Sequence, residues 1–258
     1  MPSIPMKVAD RIAAGVKKFK PLVAAAKAAD VGEADTVNRV IRMLTEVFGY
    51  DPDKEITAEY KIKSTFCDLA VKLDDAVQFL IEGKAIGAEL KDDHVAQATN
   101  YAANHGIDWV VLTNAETWRT YRMIIAKPID AELVFEFKVS ELDPKSDACM
   151  EMLYTLTKEG WQKAALTTLY EHKKAMSRYC LAAAVLSDPV LKIVRRELRR
   201  LSPDVSVNVE EIRAALEQEV IKRDVLEGEK ADAARKNLNR VLKRASRASG
   251  LNEKKDTP

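Results

Sequence analysis

The sequence predicts a mixed α/β domain followed by an all-helical C-terminal region. Apolar residues recur at helical intervals near the N-terminus, form β-type runs through the middle of the chain, and return to helical spacing after Pro144. Strand signals disappear beyond that proline. We therefore expect an α/β domain over residues 1–144, a helical domain over residues 145–230, and a basic, flexible tail over residues 231–258.

The composition excludes several classes of protein. The chain has 258 residues, of which 47% are hydrophobic and 31% charged, so it can bury a core and is neither disordered nor disulfide-stapled. A net charge of +1 provides no global attraction to a polyanion. The three cysteines lack metal-ligand spacing, and no apolar run is long enough to span a membrane. We expect a cytoplasmic protein without a membrane partner.

Two helices are predicted before the first strand. Residues 1–29 are rich in Ala and Lys at helical spacing, with a break expected at Pro21. A second helix is predicted over residues 31–48, where apolar residues recur every three to four positions. Gly49 supplies its end, and the turn residues 51–53 follow.

From Glu55 the hydrophobic period changes to that of strands. Asp74-Asp75 separates two β-type runs and predicts a tight hairpin, and Asp92-Asp93 is typical of a helix cap. The predicted elements are strands Thr65–Leu73 and Val77–Ala85, a helix His94–Asn104, and strands Trp109–Leu112, Thr117–Ile125 and Leu133–Val139.

The C-terminal part is helical in pattern over residues 146–180, 187–201 and 210–230. One face of the second segment is basic, and its candidate phosphate contacts are Lys192, Arg195, Arg196, Arg199 and Arg200. A solvated face is the alternative interpretation of this stripe. Residues 231–258 carry eight basic and three acidic residues, which predicts a fraying helix and a loose tail of net charge +5. This half could also dock a partner subunit or a second copy.

Three polar residues in the predicted hairpin carry the candidate chemistry. Asp68 interrupts an apolar strand, and Glu82 and Lys84 project from one face of the next strand, roughly 6.6 Å apart. A two-residue loop would set Asp68 opposite Ile81, on the wrong face. A three-residue loop that includes Ala76 would set Asp68 opposite Glu82, so on this reasoning Ala76 decides whether the site exists.

Two carboxylates on rigid strands suit a hard divalent cation. Mg²⁺ prefers oxygen ligands and keeps positions for water and phosphate oxygens. The ion would activate a water and neutralise charge on a phosphate, and a neighbouring lysine would orient that water. Without a cation, two adjacent buried carboxylates would repel each other.

Asp68, Glu82 and Lys84, with Gln97 on the following helix and Glu33 upstream, resemble the PD-(D/E)XK nuclease superfamily. The stretches CDLAVKL, FLIEGKA and QATNYAANHGIDWVVLTNAETWRTY are similar to the N-terminal nuclease domain of type I restriction enzyme R subunits and its stand-alone relatives. The resemblance covers roughly the first 140 residues and does not include the motor portion of an R subunit. Cys67 departs from the family, which has proline there.

This resemblance implies a restriction-endonuclease-like mixed sheet flanked by helices and roles for individual residues. Asp68, Glu82 and the carbonyl of Gly83 would bind Mg²⁺, for which Mn²⁺ can substitute. Lys84 would assist the water, Gln97 and Tyr101 would line the site, and Glu33 would add an outer carboxylate. A first-turn acid that favours the helix dipole is the other interpretation of Glu33.

The function predicted from these residues is Mg²⁺-dependent hydrolysis of DNA in defence against foreign DNA. The alternatives are a catalytically silent module of the same fold that binds nucleic acid or protein, and an RNA nuclease. The intact set of Asp68, Glu82 and Lys84 favours the enzyme.

Overall fold

The computed structural model divides into two compact units, residues 1–169 and 170–258. It describes residues 3–62, 65–124, 129–204 and 206–252, without the side chains of residues 61–62, 65–66, 92, 97, 100–101, 103–104 and 245–252. The first unit is α/β and the second is helical. The predicted class, a mixed α/β sheet with flanking helices followed by a helical region, is confirmed.

One six-stranded sheet forms the centre of the first unit, with its strands in chain order. Only β3 and β4 run parallel to each other, and the other neighbours are antiparallel. The parallel step requires a crossover, which the third helix supplies. The strands are β1 Ile56–Ile62, β2 Thr65–Leu73, β3 Ala76–Gly83, β4 Trp109–Thr113, β5 Thr117–Ile124 and β6 Asp130–Lys138.

The N-terminal helix does not break at Pro21. Helix α1 runs without interruption over Met6–Ala28, and Pro21 is exposed on its outer side. Its inner side buries an apolar stripe that extends to both sides of the proline, from Val8 to Val23. Proline inside a helix costs about 3 kcal/mol, and burial of several large side chains at ~1.5–3 kcal/mol each outweighs that cost.

Helices α2 (Glu33–Glu46) and α3 (Asp92–Asn104) pack against the central strands. Helix α2 contacts β3, and α3 contacts strands β3 to β6. Ala98 and Ala102 of α3 are buried against Leu80 and Val110 of the central strands. Small residues on the helix permit this close approach to the sheet.

The first unit extends beyond the expected boundary at residue 144, because the next helices pack on the α/β core. These are α4 (Asp147–Tyr154) and α5 (Lys158–Gln162). Arg11 of α1 donates to both carboxylate oxygens of Glu159 through its two terminal guanidinium nitrogens, at 2.9 and 2.6 Å. The ring of Trp161 packs on Phe79 at 4.6 Å between centroids.

The second unit is built from helices of very different lengths. Helix α6 (Ala165–Ala175) leads into it, followed by α7 (Arg178–Val185), α8 (Asp188–Leu201), α9 (Val209–Ala215), α10 (Arg223–Leu226) and α11 (Glu229–Asn252). The helix predicted over residues 210–230 is interrupted by a π-type turn at Leu216–Val220. Residues 229–252 form one helix in the region where a fraying helix was predicted, and its Ala231 and Ala234 are buried. Residues 253–258 of the predicted tail lie outside the described residues. No helix in the described ranges combines the length and apolarity needed to cross a bilayer.

Candidate active site

The candidate site lies where β3 ends. Glu82 and Gly83 are the last two residues of the strand, and Lys84 follows directly after it. The strand was expected to continue to Ala85. The backbone N–H of Lys84 still donates to the carbonyl of Thr113 at 2.9 Å, so the chain stays beside β4 at this point.

The hairpin reaches its register in a way that the sequence analysis did not anticipate. Its loop has two residues, Asp74 and Asp75, since Leu73 pairs with Ala76. The prediction that Ala76 joins the loop is therefore wrong. The register shifts between Lys72 and Val71, and from there the ladder continues to the pair Leu69–Ile81. This irregularity makes Asp68 and Glu82 the next residues on their strands, as the metal-site hypothesis requires.

Asp68 bridges the two strands with its side chain. Its Oδ2 accepts a hydrogen bond from the backbone N–H of Gly83 at 2.7 Å. A carboxylate that accepts from a backbone amide is held in one orientation. The contact therefore ties Asp68 to the strand end that carries Glu82 and Lys84.

Lys84 brings two further carboxylates together. Its Nζ donates to Oε1 of Glu82 at 2.8 Å and lies 3.8 Å from Oε1 of Glu33. The side chain of Glu82 is only 6% exposed, whereas that of Glu33 is 52% exposed. Glu33 is thus an outer member of the cluster. It also begins α2, so both interpretations of this residue agree with its position.

The electrostatics reflect burial and crowding of like charge. Burial raises the pKa of Glu82, the hydrogen bond from Lys84 opposes this effect, and the nearby Asp68 carboxylate adds to the increase. For Lys84, burial disfavours the charged form. Its hydrogen bond to Glu82 and the surrounding carboxylates outweigh that effect, so the pKa of Lys84 is raised.

Two glycines allow the segment before α2 and the first turns of that helix to approach the site. A Cβ on Gly83 would lie 2.8 Å from Cγ2 of Val37, and one on Gly87 would lie 2.4 Å from Oδ1 of Asp30. Both distances are shorter than ordinary van der Waals contacts. The glycines therefore let residues 30–37 approach the end of β3, which places Glu33 near Lys84.

Asn114 is a further residue that shapes the site and that the motifs did not indicate. Its Nδ2 donates to the carbonyls of Ile86 and Ala88, at 3.3 and 2.9 Å, and its Oδ1 accepts from the N–H of Thr117 at 2.7 Å. The side chain is buried and fixes the loop that follows Lys84. The only sequence signal for this role is the position of the asparagine, in the short connection between two predicted strands.

The roles expected for Gln97 and Tyr101 fall outside the described side chains. Both residues belong to α3, which packs against β3 and β4.

The donor set has the chemistry that Mg²⁺ prefers. Within the described part of the chain, no group of three or more Asp, Glu, His or Cys side chains is arranged to hold a metal. The candidate set is therefore the carboxylates of Asp68 and Glu82. In the same part of the chain, Oδ1 of Asp68 and Oε2 of Glu82 have no hydrogen-bond partner. Mg²⁺ is commonly held by one or two carboxylates, so the residues fit the ion.

The expected basic stripe lies on α8. Arg196 and Arg200 pair with Glu197, at 3.1 and 2.8 Å, which neutralises part of the stripe. Lys192, Arg195 and Arg199 form no ion pair within the described ranges. Helix α11 carries a second basic row that includes Lys236, Arg240, Lys243 and Arg244.

A comparison with known families agrees with this description. Residues 34–133 match the family of the type I restriction enzyme R protein N terminus. The resemblance to the N-terminal domain of type I restriction enzyme R subunits is thereby confirmed over that range, which includes Asp68, Glu82 and Lys84 and begins one residue after Glu33. No curated protein and no solved structure matches the chain.

Proposed function

We propose that this protein is a Mg²⁺-dependent nuclease of the PD-(D/E)XK type that hydrolyses phosphodiester bonds in DNA and acts in restriction of foreign DNA. One observation carries the proposal. The ammonium of Lys84 contacts Glu82 at a strand end that Asp68 bridges, inside a stretch similar to a restriction enzyme subunit.

Asp68 and Glu82, with the carbonyl of Gly83, would hold the ion, and Mn²⁺ would occupy the same position. When bound, the metal supplies a water of lowered pKa and positive charge beside the phosphate. The chain contributes rigidity. Asp68 is fixed by the Gly83 amide, and Glu82 is buried between neighbouring strands.

Lys84 acts in this proposal as a donor and not as a base. Because its pKa is raised, the ammonium stays protonated at neutral pH and cannot accept a proton from water. It can hold a water or a phosphate oxygen by a hydrogen bond and stabilise negative charge that develops there. Glu33 restrains the same ammonium from the solvent side at 3.8 Å. Gln97 and Tyr101 would line the site from α3.

The charge distribution favours DNA contact through the helical unit. Residues 1–169 hold 21 basic and 26 acidic residues, whereas residues 170–258 hold 20 basic and 14 acidic residues. The unit with the site is thus about −5 and the helical unit about +6. Phosphate contacts need cationic side chains. We therefore assign the grip on DNA to the helical unit, with the α8 stripe as the first candidate.

A cleavage assay tests the proposal. The full chain should cut DNA with Mg²⁺ or Mn²⁺, and chelation of the metal should stop cleavage. Asp68→Ala and Glu82→Ala should abolish cleavage, and Lys84→Ala should lower the rate about 10²–10³-fold. Glu89→Gln, an exposed change in the next loop, is the matched control and should leave the rate unchanged.

Three outcomes would replace the proposal. Cleavage of RNA but not DNA would assign the chain to RNA hydrolysis. DNA binding that needs no divalent ion, without cleavage, would assign it to the silent module. A wild-type cleavage rate in the Asp68→Ala variant would show that the active site is not at Asp68 and Glu82.

A further inference from the structure

The β2–β3 hairpin contains one residue that faces no partner. Leu73 pairs with Ala76 and Lys72 with Val77, but Val71 pairs with Phe79. Gln78 is therefore an extra residue on β3, which is the arrangement of a β-bulge. From this point to the strand end, every residue of β3 is displaced by one position relative to β2.

This displacement decides which residues meet at the candidate site. Without the bulge, the same two-residue loop would pair Val71 with Gln78 and would set Asp68 opposite Ile81. Successive side chains on a strand point to opposite faces, so Glu82 would then lie one position away from Asp68. With the bulge, the ladder reaches the pair Leu69–Ile81, and Asp68 and Glu82 follow it.

The hydrophobic pattern does not select between these registers. From Phe79 to Gly83 every residue of β3 is buried, and so are residues 69–71 of β2. A strand with one apolar and one polar face resists a one-residue slip, because the slip would expose the apolar face. Two apolar faces remove that resistance, so the register needs another determinant.

The side chain of Gln78 supplies such a determinant of the register. Its Nε2 donates to the carbonyl of Ala76 at 3.0 Å and to that of Leu73 at 3.4 Å. Its Oε1 accepts from the indole N–H of Trp161 at 2.8 Å. The bulge is thereby tied both to the hairpin and to α5.

We propose that Gln78, anchored by Trp161, is a positioning residue that sets the strand register and so brings Asp68 next to Glu82. The functional part of this inference rests on the proposed metal site. The register itself is a property of the metal-free chain and can be measured separately.

The test uses the full chain and changes the number of residues available to form the bulge. Gln78→Val removes the amide contacts and favours a regular ladder. The same substitution with Ala76 deleted should restore the original register without a bulge, because Leu73 would pair with Val77 and Val71 again with Phe79. Gln162→Val, an exposed change in the neighbouring helix, is the matched control.

Two measurements report the result: NMR contacts between the backbones of Leu69 and Ile81, and the affinity for Mn²⁺ alone. Gln78→Val should lose the Leu69–Ile81 contact and weaken Mn²⁺ binding by about tenfold or more, and deletion of Ala76 should restore both. A Gln78→Val variant that keeps the contact overturns the proposal, as does a rescue variant that fails to regain it.

If Gln78→Val does not fold, Trp161→Phe removes the indole donor and keeps an aromatic ring against Phe79. Loss of the Leu69–Ile81 contact in that variant supports the anchor, and an unchanged contact overturns it. A wild-type chain that shows the contact but binds no Mn²⁺ would reject the proposed metal site and leave the role of Gln78 in the register standing.

Discussion

Substitution of Gly83 by alanine tests how closely α2 must approach the site. The new Cβ would lie 2.8 Å from Cγ2 of Val37 and 3.5 Å from Oδ2 of Asp68. Carbon atoms in contact prefer about 3.5–4.0 Å, so Val37 must move by roughly 0.7 Å or more. Overpacking of this kind costs about 1–3 kcal/mol, and alanine in a strand recovers roughly 0.5–1 kcal/mol. We expect a net loss of about 1–2 kcal/mol, equivalent to roughly 2–8 °C in Tm for a chain of this size.

A double-mutant cycle measured by thermal unfolding checks the cause. Val37→Ala removes the clashing methyl, so Gly83→Ala should cost less in that background, with a coupling energy of about 0.5 kcal/mol or more. Gly32→Ala is the control, because its Cβ meets nothing within 4 Å and should show no coupling to Val37→Ala. Equal costs of Gly83→Ala in both backgrounds would refute the steric argument.

Two further predictions follow from charge. Because burial raises the pKa of Glu82, the folded state favours its protonated form, and this contribution to stability is lost as pH rises through the raised value. Glu82→Gln should therefore increase Tm of the metal-free protein at pH 7 more than at pH 4, and an equal effect at both pH values would contradict this. In DNA binding, Lys192→Ala with Arg199→Ala should lower the slope of log affinity against log salt by about 2, since each lost phosphate contact removes ~0.9. Unchanged affinity and slope would point to a protein partner for α8.

The basic row of α11 needs a separate test that keeps this helix intact. Removal of residues 231–258 would delete Ala231 and Ala234, which are buried in the helical unit. Truncation would therefore confuse loss of charge with loss of packing. Substitution of Lys236 and Arg240 by glutamine removes two positive charges and keeps Ala231 and Ala234 in place.

Most elements of the first unit could be predicted from the sequence because helices and strands differ in their hydrophobic period, although β1 (Ile56–Ile62) is missing from the predicted strands. Pro21 shows where such local reasoning fails. The cost of proline in a helix is local, but the burial that offsets it comes from the tertiary packing of α1. The same applies to α4 and α5. Their helical spacing is visible in the sequence, whereas the pair between Arg11 and Glu159 joins residues far apart in the chain.

The candidate site was predictable in its residue types but not in its construction. Asp68, Glu82 and Lys84 follow from the motif, and their proximity was expected on the condition of a three-residue loop. The structure obtains the same alignment from a two-residue loop and a bulge at Gln78. No local signal favours glutamine at a bulge, because its partner Trp161 lies 83 residues away in the sequence.

The central claim is that Asp68 and Glu82 share one divalent cation. Anomalous diffraction from a crystal of the full chain soaked in Mn²⁺ tests it most directly. We expect a single peak between the two carboxylates, within direct coordination distance of an oxygen of each, and no such peak in the Asp68→Ala variant. A wild-type crystal that binds Mn²⁺ elsewhere, or shows no peak between Asp68 and Glu82 at saturating Mn²⁺, would contradict the account.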